Sequence, residues 1–112
     1  QAMRVLLDLP KDERPTAVIA FNDIIAVGAL HAARDHGLSV PRDISVIGVD
    51  DIALAAHTYP PLTTISQPKY HIGKLAVQTL RRMSEGRISM SNNCTLLETP
   101  LIVRESTAPC PA

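Results

Sequence analysis

The chain contains two apolar runs that each end in a pair of polar residues. The first is Thr16–Phe21, followed by Asn22–Asp23, and the second is Ile44–Val49, followed by Asp50–Asp51. Runs that are apolar at consecutive positions are typical of parallel strands covered on both faces. The segment between the two runs has helical spacing of its apolar residues, so the pattern predicts a strand–helix–strand unit.

Further helices and strands flank this unit. In chain order, the spacing of apolar residues and the position of breakers predict a helix over Gln1–Leu9, the first strand, a helix over Ile24–His36, the second strand, a short helical segment over Ile52–His57, a strand over Leu62–Gln67, an amphipathic helix over Pro68–Ser84, and strand-like runs at Thr95–Leu97 and Leu101–Val103. With right-handed crossovers, this alternation predicts an α/β fold in which a parallel sheet carries helices on both faces.

Composition limits the class of protein. The chain has 112 residues and is 46% hydrophobic, which suits one domain or less with a buried core. Its 11 basic and 11 acidic residues balance, whereas a surface that holds DNA phosphates normally carries an excess of basic residues. We therefore expect any contact with DNA to involve other segments.

Cysteine usage favours a reducing compartment. Cys94 and Cys110 form no Cys-x-x-Cys pair, and no His is spaced to complete a zinc site with them. We therefore predict two free thiols, no metal and a cytoplasmic location. We also predict no cofactor. No apolar stretch is long enough to span a bilayer, and we expect no membrane partner.

The polar pairs after the two strands are the candidate binding residues. Carboxyl ends of parallel strands meet at one edge of the sheet, where small molecules bind in open α/β folds. Asn22 offers two donors and one acceptor, and Asp50 can form charge-assisted hydrogen bonds with ligand hydroxyls. The alternative for Asn22 is that it only shapes the turn. For Asp23 and Asp51 we expect helix capping.

Adjacent aspartates also raise the question of catalysis. Neighbouring residues after a strand point in different directions and would not flank one reacting bond. The sequence has no nucleophile–base pair, glycine-rich phosphate loop or metal-ligand spacing. A phosphoacceptor aspartate, as in response-regulator receivers, lacks the rest of its pattern. We predict that the chain is not an enzyme and has no catalytic residues.

Four blocks of sequence resemble the LacI/GalR family of bacterial transcription repressors. They are Ala20–Asp23 leading into Ala26–Leu30, Gly37–Asp51, Pro60–Pro68, and Leu101–Ser106. The Pro-Pro-Leu-Thr-Thr-Ile stretch is the most specific of them, and the likeness extends from about Ala2 to Ser106. The Asn-Asp block is shared with periplasmic sugar-binding proteins.

The resemblance implies a modular protein about three times this length. Its N-terminal helix-turn-helix and hinge helix would bind operator DNA. Its two-lobed core, of the type I periplasmic binding protein-like fold, would hold a sugar or nucleobase effector. Residues 1–66 would then be part of the C-terminal lobe, residues 67–106 a crossing, helix and strand that pack in the N-terminal lobe, and residues 107–112 an irregular tail. The chain would be an incomplete piece of that core.

The resemblance also assigns roles to residues. It places effector contacts at Asn22 and Asp50. Gln67 would lie at the lobe crossing, where it either reaches the ligand or satisfies hinge backbone groups. Some family members carry an aromatic at the position of Lys69, so this chain departs from them there.

A dimer contact is the second implied role. The resemblance places Val27, His31, Leu54 and His57 in it, and Val27 and His31 share a helix face because they are four residues apart. The alternative for this set is an ordinary core-facing stripe.

We conclude from the sequence that the chain is the effector-binding and dimerisation core of a LacI-type regulator. Its partners would be a small polar effector, most simply a carbohydrate, and a second copy of itself, and DNA only through segments absent from this chain. The runner-up is a periplasmic sugar receptor of an ABC transporter. A third class, an enzyme on a doubly wound fold, has no catalytic constellation to support it.

Overall fold

The computed structural model of the protein describes residues 1–89 and 94–110. Its helices and strands follow the predicted order. They are α1 (Ala2–Leu7), β1 (Ala17–Ile19), α2 (Asp23–Asp35), β2 (Ser45–Asp50), a 3-10 helix (Ala53–His57), β3 (Thr63–Ser66), α3 (Lys69–Ser84) and β4 (Leu101–Ile102). The predicted α/β class is confirmed. The predicted strand at Thr95–Leu97 is wrong, since those residues form no helix or strand.

The four strands form one sheet in the order β1-β2-β3-β4. β1, β2 and β3 are parallel, but β4 is antiparallel to β3, so the prediction of an all-parallel sheet is wrong at this strand. The reason lies where the chain leaves and re-enters the sheet. The Ser66 amide, at the end of β3, donates to the Pro100 carbonyl at 2.9 Å. The chain returns beside the end that it left, and the next strand must therefore run backwards.

The chain divides into two compact units. One comprises Gln1–Ser66 together with the segment from Pro100 onward, and the other comprises Gln67–Thr99. The first division falls between Ser66 and Gln67. In this division the segment from Pro100 onward lies with residues 1–66. Which lobe each unit represents stays a prediction.

Aliphatic side chains make the core of the first unit. Leu7 of α1, Leu30 of α2, Val46 of β2 and Leu62 before β3 are all buried there. α1 packs against α2, and α2 packs against β2. Small residues on α2, among them Ala26 and Ala33, allow its close approach to the sheet. The three aromatic residues are all exposed; they are Phe21, Tyr59 and Tyr70.

Ser106 holds together the amino-terminal end of the β2–β3 pair. Its hydroxyl donates to the Val46 carbonyl at 2.6 Å and accepts from the Thr63 amide at 2.8 Å. Its own carbonyl accepts from the Val46 amide at 2.9 Å. The side chain is fully buried. The returning chain therefore covers β2 and β3 at this end of the sheet.

The second unit consists mainly of α3. None of the side chains of α3 is buried within this unit, and Ile72, Val77 and Leu80 are exposed. Among residues 1–89 and 94–110, no helix is both long enough and apolar enough to cross a membrane. Cys94 and Cys110 are exposed thiols.

Candidate functional site

Asn22 and Asp50 lie at the same edge of the sheet, where β1 and β2 end. β1 and β2 are neighbouring parallel strands, with Ile19 paired with Ile47. Asn22 lies three residues beyond Ile19, and Asp50 lies three residues beyond Ile47. Both side chains are partly buried. The register thus brings the two candidate residues to adjacent strand ends, as the sequence predicted.

Asn22, and not Asp23, caps helix α2. The Asn22 side-chain oxygen accepts from the Ile25 amide at 2.9 Å, with the Asn22 backbone extended. The prediction that Asp23 is the cap is therefore wrong. The helix begins one residue earlier than predicted, at Asp23, so the side chain that folds back over its first turn is that of Asn22. The cap uses the acceptor oxygen of Asn22, while its amide N–H groups are the donors that a ligand hydroxyl would need.

Asp23 instead lies inside the protein and joins three segments. One carboxylate oxygen accepts from the Thr64 hydroxyl at 2.5 Å, and the other accepts from the Ile52 amide at 2.9 Å. The side chain is fully buried. Asp23 therefore ties the start of α2 to β3 and to the segment that follows β2.

Gly48 of β2 makes room for this carboxylate. A Cβ atom built on Gly48 would lie 2.1 Å from Oδ1 of Asp23 and 3.0 Å from a methyl group of Leu62. A glycine inside a strand often marks such a close approach. The sequence carries this signal, a glycine in the middle of an apolar run, but the approach of Asp23 to Gly48 was not predicted.

The turn after β2 has an uncommon backbone. Asp50 has φ 114° and Asp51 has φ 51°, a region that L side chains rarely adopt. The Asp51 carboxylate accepts from Nη2 of Arg104 at 2.7 Å. The prediction that Asp51 caps the following helix is wrong, because Ile52 holds the cap position and no side chain caps there.

Arg104 is a residue that sequence reasoning missed. Its Nη1 donates to the Leu62 carbonyl at 2.8 Å, and its backbone amide donates to the Thr63 hydroxyl at 2.9 Å. The ion pair with Asp51 is mostly shielded from solvent, with 20% and 25% of the side chains exposed. Arg104 directly follows the predicted strand Leu101–Val103, but its partner lies 53 residues away and no local pattern points to it.

Gln67 directly follows Ser66, which is the register partner of Asp50. It is the first residue of the second unit, and its carbonyl accepts from the Lys69 amide at 2.8 Å. Its predicted role at the ligand stays a prediction. Among the described residues, no group of His, Cys, Asp and Glu side chains is arranged to hold a metal ion.

The four residues predicted for a dimer contact lie around one groove. Val27 and His31 of α2 and Leu54 and His57 of the 3-10 helix line it, and its volume is about 310 Å³. His31, Leu54 and His57 are exposed. The alternative of a core-facing stripe does not describe this set, because α2 buries a different face. The structure places the four residues on one surface, and contact with a second copy stays a prediction.

Comparison with known proteins identifies the family. Residues 1–107 match the family described as periplasmic binding protein-like domain. The chain is 44% identical over 111 residues to the HTH-type transcriptional repressor CytR of Escherichia coli strain K12, covering 99% of this chain and 32% of that protein. It is 46% identical over 101 residues to the ribose operon repressor of Haemophilus influenzae, covering 88% and 29%.

Solved structures of LacI-family proteins are also similar to this chain. The lac repressor dimer bound to operator and the anti-inducer ONPF superposes with a TM-score of 0.84 at 36% identity, over 96% of this chain and 36% of that one. A LacI-family regulatory protein from Chloroflexus aggregans gives 0.80 at 37% identity, over 95% and 37%. The chain thus spans about a third of the length of the relatives that it matches. These relatives are transcriptional repressors and regulators, not enzymes. The chain belongs to the periplasmic binding protein-like domain family and corresponds to part of the effector-binding core of a LacI/GalR-type transcriptional regulator.

Proposed function

We propose that this chain binds a small polar effector, a carbohydrate in the simplest case, and forms the homodimer of a LacI-type regulator. The single observation that carries the first part is the placement of Asn22 and Asp50 at the ends of neighbouring parallel strands. A related LacI-family regulator from Lactobacillus casei, 31% identical to this chain, has been solved with bound sucrose and with bound glucose. Operator binding would belong to segments beyond this chain, in the cytoplasm.

The chemistry of the pair suits a polyhydroxy ligand. A carboxylate such as that of Asp50 accepts hydrogen bonds, and a sugar hydroxyl donates them. The Asn22 amide can donate hydrogen bonds to hydroxyl oxygens, which an ionised carboxylate cannot do. An amide and a carboxylate at neighbouring strand ends therefore favour a neutral ligand with adjacent hydroxyls. Gln67, one residue beyond β3, is the third proposed contact.

The proposed mechanism is a shift between two conformations of the dimer. A ligand moves such an equilibrium only as far as it binds one conformation more tightly than the other. Effector binding would change how the two subunits lie and so change the spacing of the DNA-binding heads. No chemical step is required. The periplasmic receptor alternative is not favoured, since the relatives reported above are repressors and regulators.

Substitutions at the sheet edge should weaken effector binding without unfolding the protein. In the full-length protein, Asp50→Ala should cost roughly 1–3 kcal/mol of binding free energy, the usual range for losing a buried polar partner. Asn22→Asp should weaken binding as well, because it keeps the acceptor that caps α2 and removes the amide donors. Isothermal titration with D-ribose, D-glucose and sucrose measures both effects. Unchanged affinity in both variants would contradict the site.

The groove lined by Val27, His31, Leu54 and His57 supports the dimer proposal. It combines exposed apolar and imidazole groups from α2 and the 3-10 helix, and Leu54 is 46% exposed. Two lac repressor structures with TM-scores of 0.84 and 0.82 are described as dimers. A patch that gathers apolar and imidazole groups on one surface suits a two-fold interface, in which each copy presents the same surface.

A charge placed in this groove should dissociate the dimer. Leu54→Glu would bury a carboxylate twice at a two-fold contact, and removing a charge from water costs several kcal/mol. We expect sedimentation of the full-length variant to show mainly monomer where the parent is dimeric. The matched control is Leu101→Glu, since Leu101 is 52% exposed and does not line the groove. A dimer that persists in Leu54→Glu would contradict the assignment of this surface.

A further inference from the structure

The backbone conformation at the end of β2 requires an explanation. Asp50 and Asp51 are consecutive residues with φ values of 114° and 51°. A residue other than glycine adopts a positive φ only at a cost in free energy. Such a conformation persists only where surrounding contacts impose it. Asp50 is also the residue proposed to bind the effector. The contacts that impose its conformation therefore bear on where its carboxylate points.

Three contacts hold the turn from the side of Asp51 and Ile52. The Asp51 amide donates to the Thr64 hydroxyl at 3.4 Å. Arg104 donates to the Asp51 carboxylate at 2.7 Å, and its other terminal nitrogen donates to the Leu62 carbonyl at 2.8 Å. One residue further, the Ile52 amide donates to the buried carboxylate of Asp23 at 2.9 Å. The planar guanidinium thus spans the Asp51 side chain and the backbone just before β3.

Arg104 itself has a fixed position. Its backbone amide donates to the Thr63 hydroxyl at 2.9 Å, and the segment that carries it follows β4, which pairs with β3. Two residues later, Ser106 is fully buried between β2 and β3. The guanidinium is therefore presented from a rigid part of the first unit, which is what a group needs in order to impose a conformation on a neighbouring turn.

We propose that Arg104 is a positioning residue for the effector site: through its ion pair with Asp51, it holds the Asp50–Asp51 turn so that the Asp50 carboxylate faces the ligand. The inference rests on the proposed function, in which Asp50 contacts the effector. Arg104 does not touch the ligand. Its effect on affinity is transmitted through one ion pair and two consecutive backbone angles.

A structural experiment tests the positioning without any ligand. Crystal structures of the full-length parent and of its Arg104→Met variant, which keeps an unbranched apolar side chain and removes the guanidinium, are compared in the same crystal form. We expect Asp50 or Asp51 to leave the positive-φ region in the variant. Positive φ at both residues in Arg104→Met would overturn the proposal. If this variant fails to fold, Asp51→Asn takes its place, since it removes the charge and preserves the side-chain volume.

A binding experiment separates positioning from a merely structural role. With D-ribose, D-glucose or sucrose as the probe, we expect Arg104→Met to lower affinity at least tenfold and Arg104→Lys to restore part of it. Leu7→Ala is the control, because it removes a buried core side chain of α1 and lowers the melting temperature without removing a hydrogen bond of the turn. We expect its affinity to equal that of the parent.

The outcomes distinguish this inference from the proposed function. If the turn changes conformation in Arg104→Met but affinity stays that of the parent, the positioning role is overturned. Equal losses of affinity in Leu7→Ala and Arg104→Met would overturn it too, because general destabilisation would then explain both. If the parent binds none of the three sugars, or Asp50→Ala binds them as well as the parent, the proposed effector site fails. The crystal structures then still decide whether Arg104 holds the turn.

Discussion

Replacing Asp23 with alanine is expected to lower the free energy of unfolding by about 3–5 kcal/mol, because each hydrogen bond to a charged group contributes about 1.5–3 kcal/mol. The fully buried Asp23 carboxylate accepts two such bonds, from the Thr64 hydroxyl and from the Ile52 amide. In the alanine variant, both donors would stay buried without this acceptor. Chemical denaturation of the full-length protein, followed by circular dichroism, measures the change.

Asp35 provides the matched control at the other end of α2. It is 54% exposed, and its carboxylate lies 3.7 Å from Arg4. Exposed ion pairs contribute about 0–1 kcal/mol, so Asp35→Ala should leave stability nearly unchanged. The assignment of Asp23 as an internal anchor would be wrong if the two alanine variants unfolded at the same denaturant concentration.

The second large effect is expected at Gly48. Gly48→Ala would place a methyl group 2.1 Å from the Asp23 carboxylate oxygen, 3.0 Å from Leu62 and 3.2 Å from the Asp23 backbone. Since the obstructing atoms belong to a buried anchor and to the backbone, relief requires α2 and β2 to separate. We expect a loss of about 3 kcal/mol, the upper part of the usual range for overpacking. Thermal unfolding of the full-length protein should show a correspondingly lower melting temperature.

Gly28 is the control for this substitution. It lies inside α2, and a Cβ atom built on it meets nothing within 4 Å. Because glycine is a poor helix former, Gly28→Ala should raise stability by about 0.5–1 kcal/mol. The same chemical change should therefore have opposite signs at the two glycines. A melting temperature for Gly48→Ala at or above that of the parent would show that the close approach of Asp23 to β2 is not a real constraint.

The buried anchor Asp23 lies next to the candidate site along the chain. Asp23 is adjacent to Asn22, and its partner Ile52 lies two residues beyond Asp50. A buried carboxylate with both oxygens bonded holds these segments more firmly than surface contacts would. A cleft that recognises a small polar ligand needs such support, because its polar groups must be fixed before the ligand arrives.

The order of helices and strands could be predicted because it depends on local patterns. Runs such as Ile44–Val49 are apolar at consecutive positions, and Ile72, Leu75 and Leu80 recur at helical spacing. The placement of Asn22 and Asp50 at one edge followed from the same patterns, since a crossover between parallel strands leaves both carboxyl ends on the same side. The parallel β1–β2 pair confirms that step.

The roles within each polar pair could not be predicted. Asn22 and Asp23 are both good capping residues, and the choice depends on which of them meets the Thr64 hydroxyl and the Ile52 amide. Those partners are 29 and 41 residues away from Asp23. The direction of β4 was missed for a similar reason, because it depends on where the chain re-enters the sheet at Pro100.

Local spacing along the chain was thus enough to specify the order of the helices and strands and the two strand ends that carry Asn22 and Asp50, although it also predicted a strand at Thr95–Leu97 that does not form. Folding alone assigned the buried anchor to Asp23, the ion pair of Asp51 to Arg104, and the antiparallel direction to β4. The physical reason is the distance along the chain over which each interaction acts. Periodicity and capping act over a few residues, whereas burial and ion pairing depend on groups that meet only when distant segments pack together.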